Sequence, residues 1–233
     1  KSAEPFAYLA VSNSAEDSLR AARIYASHHL PVLSTPLWRG ERYSHRKIRL
    51  GYVSGEFQHQ ATAMLMSGLF ERHDRDRFEL LAFDNGWDDG SRLRARIEKS
   101  FAEVFDIAAM GDHDAASLIR ALEIDILVDL NGYFGRARQG VFARKPAPVQ
   151  VSYLGFPGTL GAPYMDYVLA DARVIPPEHE PYFVEKVVRL PDSYQANDPK
   201  RQIAAHTPAR AAHGLPGSGF VFACFNNSYK ITP

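Results

Sequence analysis

Three short stretches of this sequence carry residue types that can bind a phosphorylated ligand and move a proton. Val53-Ser-Gly-Glu-Phe-Gln-His-Gln-Ala-Thr62 places Glu56, His59, Gln60 and Thr62 close together: a carboxylate, an imidazole, an amide and a hydroxyl. The competing interpretation is a solvated turn with an incidental His. Leu154-Gly-Phe-Pro-Gly-Thr-Leu-Gly161 crowds Gly155, Pro157, Gly158 and Gly161 into one short loop. A simple turn needs one or two such residues. Extra glycines let a ligand approach the backbone and meet its N–H groups, so a ligand loop is favoured. Asn226, Asn227, Ser228, Tyr229 and Lys230 follow the apolar run Phe220 to Phe225, and Thr232-Pro233 then has the form of a helix start. Lys230 is a point charge suited to a phosphate, and a cation opposes the dipole at a helix N-terminus, so an anion is expected to join it there. Asn131-Gly-Tyr133 is a fourth candidate, with Tyr133 able either to stack on a ligand or to pack its loop. Arg136 and Arg138 beside it are read as solvated rather than as phosphate ligands.

Other constellations do not hold up. Asp74-Arg-Asp76 and Asp112-His-Asp114 have Asp-x-Asp form but lie in charged loops ahead of the next element. No His/Cys spacing makes a zinc site, and His28-His29 falls at a helix end. Neither a G-x-S-x-G elbow nor a G-x-G-x-x-G fingerprint is present. Asp125 and Asp129 are read as structural rather than as a catalytic pair.

The elements that must position these residues alternate. Ser14-Ala-Glu-Asp17 starts a helix that Pro31 stops, and residues 31–46 read as a linker wrapped over a surface. Strands are expected at 48–54, 78–83, 104–107, 124–130, 149–154, 164–170 and 186–190. Helices are expected at 61–72, 91–100 (amphipathic and basic), 114–122 and near 140–144. Strands alternating with helices imply a Rossmann-like, doubly wound parallel α/β sheet. The candidate clusters would then sit at strand C-terminal ends, where open α/β sheets bind ligands. Residues 191–219 read as a bridge, and Phe220 to Phe225 as a further covered strand with Cys224 in its core. A chain that stops inside a βα unit is expected to be a piece of a larger protein.

Composition agrees with a globular chain. Of 233 residues, 45% are hydrophobic and 23% charged, enough for a sizeable core. The formal net charge is zero, which argues against a nucleic-acid-coating surface. Cys224 is the only cysteine, so no internal disulfide forms and a cytoplasmic setting is expected. No apolar run approaches the ~20 residues of a membrane span.

Several of these segments together resemble one family. They are 48–54, Ile126-Leu-Val-Asp-Leu-Asn-Gly-Tyr133, Ala143-Arg-Lys-Pro-Ala-Pro-Val-Gln150, 154–162, Met165-Asp-Tyr167 and Cys224-Phe-Asn-Asn-Ser-Tyr-Lys230. They resemble the catalytic region of the protein O-GlcNAc transferases, within the glycosyltransferase group that includes the SPINDLY-type proteins. Bacterial members carrying tetratricopeptide repeats are the nearest in kind. The resemblance implies a GT-B fold of two Rossmann-like halves, with no metal and no cofactor. It implies transfer of a sugar, GlcNAc from UDP-GlcNAc first of all, to Ser or Thr hydroxyls with inversion. Its expected partners are the nucleotide sugar, a protein or peptide acceptor, an N-terminal tetratricopeptide region and a missing C-terminal catalytic half. On this basis 1–46 is a helical linker, 47–205 the N-terminal catalytic half and 206–233 the start of the second half.

The resemblance also assigns roles. Lys230 matches a lysine on the donor diphosphate, with Asn227 and Tyr229 as its neighbours. Leu154, Gly155 and Pro157 match the lining of the sugar pocket. Tyr133 matches a tyrosine at the pocket edge, and Thr62 a threonine near the donor. Glu56 falls where some members have an Asp proposed on a proton path. The sequence departs from the family at Gln60, where members commonly have a His, while His59 lies one place earlier. Gln60 cannot take up a proton near neutral pH. Three consequences are open: Gln60 keeps only a binding role, His59 swings in, or this branch uses another donor (GDP-fucose or UDP-glucose) or serves as a degenerate binding module.

Overall fold

The structure, a computed structural model, describes residues 2–30, 33 and 35–225. The chain divides into two compact units, residues 1–198 and 199–233.

The first unit is built on a seven-stranded sheet. The strands are β1 (Ile48–Ser54), β2 (Phe78–Asp84), β3 (Glu103–Asp106), β4 (Ile126–Asp129), β5 (Val149–Tyr153), β6 (Tyr167–Ala170) and β7 (Lys186–Arg189), in the order β3-β2-β1-β4-β5-β6-β7. Every neighbouring pair is parallel, with Leu50 level with Leu80 and Ile126, and Ile126 level with Val149. The helices are α1 (Pro5–Tyr8), α2 (Ala15–His29), α3 (Ala61–Arg72), α4 (Arg92–Glu98), α5 (Asp112–Ala121) and α6 (Gln139–Phe142). The doubly wound architecture expected from the alternating pattern is therefore present. β1 and α3 have the expected limits, and the other elements of this unit shift by a few residues.

Alternation along the strands splits the core into two layers. Leu50, Tyr52, Leu80, Ala82, Val128, Leu130, Val151 and Tyr153 pack against Met66 and Phe70 of α3, Ile97 of α4, and Phe101. Phe70 stands 5.0 Å from the rings of both Tyr52 and Phe101. The opposite face, with Val53, Leu81, Phe83 and Leu127, packs against Ala115, Ala116 and Ile119 of α5 and Phe142 of α6. Each large apolar side chain buried in this way stabilises the fold by about 1.5–3 kcal/mol before the entropy of ordering is subtracted.

Local chemistry sets the helix ends. Ser14 caps α2 by accepting from the Asp17 amide at 3.1 Å, with Glu16 and Asp17 in the first turn and His28 and His29 in the last. Ser91 likewise caps α4 through the Arg94 amide. The helix expected to be amphipathic and basic turns one of its arginines inward. Arg94 is buried, bonded to Asp84 at 2.7 Å and to Glu98 at 3.0 Å. The linker segment is pinned where the Leu37 and Trp38 amides donate to the carbonyls of Arg144 and Lys145. Residues 191–198 pack onto the same unit: the Tyr153 hydroxyl donates to the Tyr194 carbonyl at 2.6 Å, and Arg96 joins Glu71 and Asp198.

Within the second unit, the described residues contain one short 3-10 turn, Arg210–His213. The expected covered strand at Phe220 to Phe225 is absent. Phe220, Phe222 and Phe225 are exposed, and so is Cys224, which was expected in a core. A strand is stabilised by a neighbour's hydrogen-bond ladder, and no strand among the described residues of this unit offers one.

Candidate functional site

A parallel sheet gathers all strand C-termini along one edge. Here the chain runs outward from β1 through β2 and β3, then returns to β4 on the other side of β1. The reversal makes the ends of β1 and β4 a topological switch point, the position where such sheets bind ligands. With β5 next to β4, the loops 54–62, 131–138 and 154–161 emerge side by side there.

The loop after β1 turns tightly into α3. The Glu56 amide donates to Ser54 Oγ at 3.0 Å, and the Glu56 carboxylate accepts from the Thr62 hydroxyl at 2.5 Å. Both residues are buried, so the structure joins two of the predicted site residues. Gln60 is the N-cap of α3, yet its side chain makes no capping bond and is exposed. His59 is exposed as well, and its amide donates to Asp89 Oδ2 at 2.7 Å. Accepting this amide is the main reason the exposed Asp89 carboxyl lies down at about 2. Neither His59 nor Gln60 reaches Glu56 through a hydrogen bond among those observed. The buried Glu56 carboxylate and the two exposed polar side chains are thus separate layers of one turn.

The loop after β4 is organised by Asp129. Its carboxylate accepts from the amides of Asn131 at 2.9 Å and Gly132 at 3.0 Å, and from the Gln139 side chain. Complete burial pushes this carboxyl up, and those three donors partly offset the effect. Asn131 Oδ1 in turn accepts from the Gly55 amide at 3.0 Å, which ties the β1 and β4 loops together across the switch point. The structural reading of Asp129 is therefore correct. Asp125 has a comparable task, accepting the Arg49 amide at 2.8 Å.

Arg138 is not solvated as expected. It is held by Asp112 at 2.8 Å, Asn85 Oδ1 at 2.7 Å and the carbonyls of Ile107 and Met110 at 2.9 Å. Asp112 is therefore an ion-pair partner. Arg136 lies over the Trp87 ring at 5.0 Å.

The loop after β5 is a plug with a narrow open front. Leu154 adopts a left-handed φ of 72°, and Leu154 and Gly155 are half-buried while Pro157 is exposed. A Cβ on Gly155 would stand 2.2 Å from the Leu130 carbonyl oxygen, so only glycine fits against the end of β4. Behind this front, Phe156, Thr159 and Leu160 are buried. Tyr133 packs its loop: its ring meets Tyr25 and Phe156 edge-on, and its hydroxyl donates to the Leu160 carbonyl at 2.7 Å. Burial pushes this phenol well above its ordinary range.

Asn227, Tyr229 and Lys230 lie outside the described residues. Sequence reasoning did not single out Asn131 as a bridge, Asp89 as the anchor of His59, or Glu185. Asp129 followed by Asn131-Gly132 is a recognisable side-chain-to-backbone turn signal. Glu185, an isolated acid before a short strand, had no local signal.

Comparison with known proteins places these features in a family. The sequence profile of Glycosyl transferase family 41 matches residues 22–212. The chain is 36% identical over 247 aligned positions to a probable UDP-N-acetylglucosamine--peptide N-acetylglucosaminyltransferase SEC of Arabidopsis thaliana, covering 100% of this chain and 25% of that protein. A UDP-N-acetylglucosamine--peptide N-acetylglucosaminyltransferase of Caenorhabditis elegans is 35% identical, over 73% of this chain and 15% of its own length. Among solved structures, the K341M mutant of the Thermobaculum terrenum O-GlcNAc transferase superposes with a TM-score of 0.75 at 30% identity, over 82% of this chain and 37% of that one. The chain thus spans a quarter or less of the length of these two curated relatives.

Proposed function

This chain belongs to glycosyl transferase family 41, and from that premise we propose that it is part of an enzyme that transfers GlcNAc from UDP-GlcNAc to Ser or Thr hydroxyls of proteins. The observation that carries this reading is the convergence of the 54–62, 131–138 and 154–161 loops on the switch point formed by β1, β4 and β5. The reading includes inversion without a metal, a cytoplasmic setting, and a second catalytic half completing the donor site.

In this mechanism the acceptor hydroxyl attacks the anomeric carbon directly while the UDP leaving group gains charge. The front of the β5 loop, half-buried Leu154 and Gly155 with exposed Pro157, orients the sugar. Lys230 stabilises the diphosphate electrostatically, with Asn227 and Tyr229 beside it. Glu56 takes up the acceptor proton, and Thr62 holds that carboxylate in one orientation through their hydrogen bond. Gln60 serves as a hydrogen-bonding group at the mouth, a role its uncommitted side chain leaves open.

Calorimetric titration of the full-length protein with UDP-GlcNAc, UDP-glucose and GDP-fucose, followed by a peptide-transfer assay, tests the reading. Binding of UDP-GlcNAc with sugar transfer is expected. Preference for GDP-fucose or UDP-glucose would move the donor assignment and keep the chemistry. Failure to bind any donor would favour a second reading, a transferase fold retained as a binding module, which rests on Gln60 standing where the family commonly has a His. Within the active enzyme, Glu56→Gln should lower kcat by about 10²–10⁴-fold. Normal turnover of that variant would remove Glu56 from the mechanism.

A further inference from the structure

Leu160 is held through both of its backbone polar groups. Its carbonyl accepts from Tyr133, and its amide donates to Glu185 Oε1 at 2.7 Å. The other oxygen of Glu185 accepts from the Thr159 hydroxyl at 2.7 Å. Thr159 Oγ then accepts from the Gly161 amide at 3.1 Å and the Val184 amide at 3.3 Å. Glu185 and Thr159 are both buried. Glu185 immediately precedes β7, so the residue that leads into the outermost strand grips the loop that follows β5.

This clamp is an unusual use of a charged residue. Burying a carboxylate is costly unless hydrogen bonds compensate, and an apolar side chain would fill the same space more cheaply. What the carboxylate adds is direction. Two acceptor oxygens fix one amide and one hydroxyl at defined points on a loop rich in glycine, whose backbone would otherwise have many conformations. The buried rear of the loop is fixed, and this constrains the front, Leu154, Gly155 and Pro157, which faces the strand ends.

We propose that Glu185 and Thr159 are positioning residues for the sugar-binding front of the loop, setting donor affinity without touching the donor. The inference rests on the transferase reading, so its test has an arm that does not depend on activity. In full-length protein, Thr159→Val removes the hydroxyl at nearly constant volume, and Thr159→Ser restores it. Thr159→Val is expected to raise KM for UDP-GlcNAc about tenfold and to change kcat far less. The melting temperature should fall, because a Glu185 oxygen and two amides lose their partner, and amide hydrogen exchange across 154–161 should accelerate by more than that global loss accounts for. Thr159→Ser should recover both KM and exchange protection.

A folded Thr159→Val protein with wild-type KM overturns the proposal, as does a raised KM with unchanged loop exchange. If Thr159→Val does not fold, Glu185→Gln, which keeps the volume and one carbonyl acceptor, is read with the same two measurements. If wild-type protein neither binds nor transfers any sugar, the transferase reading fails. The exchange arm then still decides the clamp: faster exchange in the variant supports it, and unchanged exchange overturns it.

Discussion

Asp129 shows how a single buried group can make a site depend on pH. Burial raises its carboxyl above the ordinary value near 3.9. The folded state therefore holds the proton more tightly than the unfolded chain. Its contribution to stability is fully present below the unfolded pKa and is lost as pH rises to the folded pKa. Asp129→Asn carries no such titration. Denaturant midpoints measured from pH 4 to pH 7 should show wild type losing stability relative to Asp129→Asn as pH rises. A constant difference would mean that Asp129 does not titrate differently on folding. Tyr133→Phe is a second test at this scale. It leaves the buried Leu160 carbonyl without its donor and should cost about 1–3 kcal/mol in chemical denaturation. Gly155→Ala should be worse, since its Cβ has 2.2 Å of space against a backbone oxygen. A loss above about 3 kcal/mol, or a displaced loop in a structure of the variant, is expected.

At the scale of elements, an aromatic layer packs between the sheet and α3. Phe70 is fully buried and touches Tyr52, Phe57 and Phe101. Phe70→Ala should destabilise by about 3–5 kcal/mol and reduce α-helical circular dichroism at a lower denaturant concentration. Elements of this kind were legible in the sequence because period-2 and period-3.6 patterns are local. Val, Ile, Leu and Phe at 48–54, 78–84 and 126–129 leave little choice but buried strands. Edges of elements were less legible where a side chain from elsewhere decides them. The strand expected from Tyr164 begins at Tyr167 because the Tyr164 carbonyl is taken by Gln150 Nε2 at 2.8 Å. The site was legible as three loops and opaque as a network. Glu56 and Thr62 are six residues apart and were paired in advance only as members of one turn. Glu185, twenty-five residues from the amide it holds, could not be paired by any spacing rule. The run Phe220 to Phe225 has the composition of a strand, but composition does not supply the neighbour that a strand requires.

For the whole molecule, the division after Asp198 separates a sheet with two packed faces from a stretch whose described side chains are almost all exposed. Limited proteolysis should therefore cut first between residues 199 and 225 and leave a core ending near residue 198, read by mass spectrometry. Early cleavage inside 48–190 would contradict that division. The strand order has another consequence, which concerns birth rather than function. β1 is the first strand of this sheet to be synthesised, yet it lies inside the sheet with β2 on one side and β4 on the other. While β2 and β3 assemble on the ribosome, the opposite edge of β1 stays unpaired until β4 emerges more than seventy residues after β1 has ended. An open, apolar strand edge invites pairing with another chain. The geometry that places the switch point inside the finished sheet thus leaves the nascent chain with an interval in which one edge of β1 is open to pairing with its own copies.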